Sequence, residues 1–153
     1  MNTLKTIFTV TILLFASTST QQTQAQTKEE TIAWIKEKLE KYGGFIENSL
    51  ESYYTDVQVT PCMISFMEKY NYTDESVPNS FNPSSVKSWS VSDDKGYIKA
   101  DANVISKIFS GNNKASMQSS LFLRNGETDI HECMIKALLH LATFCDESKN
   151  EAF

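Results

Sequence analysis

The sequence predicts an α+β domain: an N-terminal helix, a bent antiparallel sheet or partial barrel of five to seven strands, and a C-terminal helix that covers it. Three observations lead there. The run "TKEETIAWIKEKLEKYGG" (residues 27–44) repeats its apolar residues every three or four positions, as a helix with one buried stripe does. From Leu50 to Arg124 the pattern changes to short stretches rich in aromatic and β-branched residues. The helical period returns from about Thr128 to Cys145. A sheet with one apolar face needs that face covered, and the second helix is the natural cover.

The chain begins with a segment of another kind. Lys5 is the only charge before Lys28, and "IFTVTILLFA" (Ile7 to Ala16) is a continuous, mostly apolar core. A polar stretch follows, ending in "TQA" at Thr23 to Ala25, where Ala25 suits a signal peptidase. An apolar run of about ten residues is too short for a hydrocarbon layer of roughly 30 Å, yet normal for a signal-peptide core. Residues 1–25 therefore read as an export signal. Residues 26–153 form one domain, directed to the periplasm or the extracellular space. No later stretch is apolar enough to cross a membrane.

Charge narrows the partners. The chain carries a net charge of −5, and losing Lys5 with the leader makes the balance more negative still. Nucleic acids and anionic membranes reward a concentrated basic patch, and none is present.

Element by element, Thr27 and Glu30 have capping-box spacing at the start of the first helix. Ile32, Ile35, Leu39 and Tyr42 share one stripe, and Gly43 or Gly44 ends the helix with a positive φ. In "SYYTDVQVTPCMISFMEKY", Pro61 marks a strand start, an edge or a bulge, and from Cys62 onward residues alternate. "TDESVPNSFNPSS" reads as a loop by composition. "VKSWSVS" and "GYIKADANVI" flank the hairpin turn "DDKG". "KIFSGNNKASMQSSLFLR" gives two extended pieces around "GNN". In the last helix Ile130, Met134, Ala137, Leu138, Leu141 and Cys145 gather on one face.

The same helix, in "HECMIKALLHLATFC", holds both histidines and two of the three cysteines. A zincin site needs His-Glu-x-x-His, and Ile135 stands where the second imidazole belongs. Cys133 and His140 share a side but lie about 10.5 Å apart along the axis, too far to ligate one metal or to act as a thiol–base pair. No metal and no cofactor is expected. The turn "SDDKG" lacks the alternating acids of a calcium loop. Cys133 and Cys145 are about 18 Å apart on one helix, whereas a disulfide needs Cα atoms within roughly 7 Å. An intramolecular bridge must then use Cys62, the other reading being three unpaired, largely buried thiols. Phe81, alone in the polar loop, is a candidate contact for a partner.

"TKEETIAWIKEKLEKYGG", a strand with a central Cys, "KALLHLATFC" and the closing "KNEAF" together resemble a group of small exported proteins of Bacteroidota-type bacteria. The resemblance spans nearly the whole chain after the leader. It implies a pleckstrin-homology-like shape, a bent sheet closed at one end by the C-terminal helix. It also implies that Cys62 and Cys145 pair and that Cys133 is the extra thiol. Pleckstrin-homology domains that bind inositol phosphates cluster Lys and Arg in their loops. Here only Lys95 and Lys114 are offered, so that ligand is not expected.

The function these observations favour is a non-enzymatic binding or interaction module for a protein, peptide or small ligand. The alternative is a small enzyme or ligand carrier with a cavity between the sheet and the C-terminal helix, near Cys133 and His140.

Overall fold

A computed structural model describes residues 27–92, 96–109, 114–124, 126 and 129–148. The leader at 1–25 lies outside the described residues, as do the centres of the "DDKG" and "GNN" turns. The chain is α+β, with a curled half-barrel sheet, a small second sheet and a helix at each end.

Helix α1 spans Lys28–Tyr42 and starts at the predicted capping box. The Glu30 amide donates to Thr27 Oγ1 at 3.2 Å, and the Thr27 amide donates to Glu30 Oε2 at 2.9 Å. Two first-turn amides are thus satisfied locally. Ile35 and Leu39 are fully buried. Two glycines are needed where α1 ends because β2 (Leu50–Thr60) passes close by. A Cβ on Gly43 would enter the Tyr54 ring, and one on Gly44, at φ +110°, would overlap the Ser52 carbonyl.

The larger sheet has the order β1-β2-β3-β4-β7-β8, where β1 is Ile46–Glu47, β3 Met63–Tyr70, β4 Ser76–Phe81, β7 Ile105–Phe109 and β8 Lys114–Gln118. The smaller sheet has the order β5-β6-β9: Trp89–Val91, Tyr97–Ala100 and Ser120–Phe122. Every pairing is antiparallel. Asn48 and Ser49, both at positive φ, make the two-residue turn between β1 and β2, the geometry of a type I′ hairpin. Pro61 and Cys62 make the next tight turn, since Thr60 pairs with Met63. Cys62 therefore sits at a hairpin tip, not mid-strand.

β2 carries a bulge. Thr55 pairs with Met67 and Gln58 with Ser65, so Asp56 and Val57 together oppose Phe66, and Asp56 takes φ 53°. The extra residue moves the buried positions of β2 from Ser52 and Tyr54 to Val57.

The curled sheet has six strands, within the five to seven expected, and the smaller sheet adds three; the strand that composition concealed is β4. Its composition reads as loop, but Val77, Asn79 and Phe81 alternate inward beside β3. Pro78 stands just outside the ladder with β7, which joins Asn79 to Lys107 and Ser80 to Ser106. The Phe81 expectation fails for the same reason. Phe81 is 3% exposed and meets Trp89 edge-on at 5.9 Å, so it is core and not a surface contact.

Helix α2 (Ile130–Ser148) buries the six residues that its period selects. It packs on α1, on the short 3₁₀ turn Pro83–Ser85, and on β5 and β6. Cys62 and Cys145 are joined in a disulfide with Cα atoms 4.8 Å apart, tying the β2–β3 turn to the far end of α2.

Candidate functional site

The two sheets share a seam at the end of α1 and then part. At the seam Gly43 bridges Leu123, the Gly44 amide donates to the Phe122 carbonyl at 3.1 Å, and the Arg124 amide donates to the Tyr42 carbonyl at 2.7 Å. Beyond it the chain turns into β1 to pair with β2, while β9 pairs with β6. The diverging strands leave an open groove of about 680 Å³. One wall is Phe45, Ile46 and Glu47, and the other is Gly96, Tyr97, Phe122, Leu123 and Arg124.

Aromatic rings run through the groove and past its inner end. Tyr97 and Phe122 lie 5.3 Å apart, Phe122 and Phe45 5.5 Å, Phe45 and Tyr70 6.3 Å, and Tyr70 and Tyr72 5.5 Å. Their planes are inclined by 50–62°, Phe45 and Tyr70 edge against face and the other pairs tilted, so they do not make one flat platform. Ile46, on the rim, is 66% exposed. At the outer end Arg124 Nη1 donates to Glu51 Oε1 at 2.8 Å and Nη2 to the Lys41 carbonyl at 3.2 Å, which fixes the guanidinium. From below, His131 Nε2 meets the Leu123 carbonyl at 3.0 Å, so α2 holds the floor in place.

Behind Tyr70 the concave face of the larger sheet carries charge. Lys107 Nζ donates to Glu68 Oε2 at 2.6 Å and to Tyr70 Oη at 2.8 Å, and Glu68 is 2% exposed. Burial pulls the Lys107 ammonium down, but its hydrogen bonds to Glu68 and Tyr70 outweigh this and raise it above its ordinary value. Burial raises the Tyr70 phenol, with the Lys107 hydrogen bond opposing. Tyr54, fully enclosed and near Glu68, is held well above its ordinary value. Its hydroxyl accepts from the Phe122 amide at 3.2 Å.

The residues singled out from sequence lie elsewhere. Cys133 is an exposed free thiol on α2, and His140 meets the Phe144 ring edge-on at 4.8 Å. Neither lines the groove. Cys62 and Cys145 are consumed in the disulfide. Among the described residues no three His, Cys, Asp or Glu side chains converge to hold a metal ion. The two walls, "GFIE" and "FLR", carry no motif in the sequence, because neither has chemistry until the fold brings them together. The one early signal was the crowding of aromatic residues in the middle of the chain, Tyr97 among them, which by sequence alone reads as core or cross-strand pairs.

Compared with known protein families, characterised proteins and solved structures, the chain matches none.

Proposed function

We propose that the chain is an exported, non-enzymatic binding module of pleckstrin-homology-like shape that takes its ligand in the groove between the two sheets. The observation that carries this reading is the groove itself. Its volume of about 680 Å³ falls in the range of about 300–1,000 Å³ usual for ligand sites, and its wall leaves Ile46 two-thirds uncovered. The lining offers rings, an isoleucine and an arginine already paired with Glu51, and no nucleophile with a base beside it. The apolar leader and the Cys62–Cys145 disulfide support export to an oxidising compartment. No helix among the described residues is long and apolar enough to cross a membrane. The curled six-stranded sheet and the covering helix support the shape.

The test uses anilinonaphthalene sulfonate, a fluorescent apolar probe, followed by amide chemical shifts. Shifts should concentrate at Phe45–Glu47, Tyr97 and Phe122–Arg124, and Tyr97→Ala should weaken binding about tenfold. Shifts on α2 around Cys133 and His140 instead would favour the carrier or enzyme alternative.

A further inference from the structure

The class of ligand can be read from the backbone of the groove wall, an inference that rests on the groove being the binding site. Along Tyr42–Glu47 the main chain alternates its partners. The Gly43 carbonyl accepts from the Tyr54 amide at 3.3 Å and the Phe45 carbonyl from the Ser52 amide at 2.9 Å, both toward β2. Tyr42 and Gly44 instead bond to Arg124 and Phe122, toward β9. Odd positions face β2 and even positions face β9. Ile46 is the next even position, so its N–H and C=O turn away from β2. The partner strand agrees. Glu51, opposite Ile46, donates its amide to Asn71 Oδ1 at 3.1 Å and accepts from the Asn71 amide at 3.0 Å, so it too points away from β1. Beyond the Gly44–Phe122 hydrogen bond no pairing joins β1 to β9 among the described residues. The Ile46 donor and acceptor therefore open onto the groove, where the ladder begun at Tyr42 has lost its strand.

The geometry points to an extended peptide segment of a partner protein as the occupant, added as a strand against Ile46. It restores the ladder that stops at the Gly44–Phe122 hydrogen bond. The inclined rings of Phe45, Phe122 and Tyr97 leave notches for alternate side chains, where a flat sugar ring would need a coplanar face. Charge selects the segment. Glu47 is an exposed carboxylate on the wall, while Arg124 is neutralised by Glu51 and the whole chain carries −5. The segment is apolar with Lys or Arg interspersed.

The probe is a blocked heptapeptide alternating valine and lysine, titrated into the isotope-labelled protein. Amide shifts are expected at Phe45–Glu47, Tyr97 and Phe122–Arg124, with Ile46 among the largest. Of two forms N-methylated along opposite edges, one should lose at least tenfold in affinity while the other retains it. Glutamate in place of lysine should cost at least tenfold, and Glu47→Lys should reverse that preference. Retained affinity in both N-methylated forms overturns strand addition. So does binding of a cello-oligosaccharide in the groove where the peptide produces no shift. If the apolar probe still maps to the groove while the peptide fails, only this inference falls. If neither binds there, the groove reading falls with it.

Discussion

Glu68 and Lys107 form an ion pair across an intervening strand: β3 and β7 both flank β4, and the two side chains meet over it at 2.6 Å on the concave face. Both are largely withdrawn from water, with side-chain exposures of 3% and 12%. Taking two charges out of water is costly, so the pair's net worth is small, while removing one partner strands the other.

Glu68→Leu should therefore lower the unfolding free energy by about 3–5 kcal/mol in urea titrations. Adding Lys107→Met should recover most of it, because the charge left behind is then gone as well. A single variant as stable as wild type would mean that Lys107 swings out to solvent.

Stability should fall above about pH 10. The Tyr54 phenol and the Lys107 ammonium are both raised above their ordinary 10.0 and 10.5. A group raised on folding contributes stability that is whole below its unfolded value and is lost as pH climbs through the folded one. Urea midpoints measured from about pH 8 to 11 check the sign, and Tyr54→Phe should make the decline shallower. A midpoint that rises over that range would contradict the burial of these groups.

Replacing both Cys62 and Cys145 by serine should cost about 4 kcal/mol, since their bond closes a loop of sequence separation 83. Peptide mapping without reduction should recover Cys62 linked to Cys145. Alkylation of the native protein should label Cys133 alone, as the exposed free thiol.

Two turn positions should respond with opposite sign. Gly44→Ala places a side chain at φ +110° against the Ser52 backbone and should destabilise by about 2 kcal/mol or more. Ser49→Gly relieves a positive φ in the β1–β2 turn and should stabilise by about 0.5–1 kcal/mol. Thermal unfolding resolves both.

The helices were legible because their signal is local. Thr27 and Glu30 are close enough in sequence to announce a cap, and the six buried residues of α2 follow from a 100° step. β4 was not, because Pro78, Asn79 and Ser80 look like a loop until β3 and β7 claim them. The bulge at Asp56 changes the phase of alternation inside β2, so a single period cannot place both Tyr54 and Val57 inside. The groove was the least legible of all. It joins Ile46 to Phe122 through the seam at Gly44, a relation of the kind no local window contains.

The disulfide has a consequence for the order of events in making the protein. Cys62 waits for a partner 83 residues later in the chain. A chain that emerges N-terminus first presents Cys133 before Cys145, so the first thiol to meet Cys62 is the wrong one. Cys133 and Cys145 lie on one helix, and folding that helix is what withdraws the first and delivers the second. Oxidation that outruns the folding of α2 would trap a mispaired chain, which thiol–disulfide exchange must then undo.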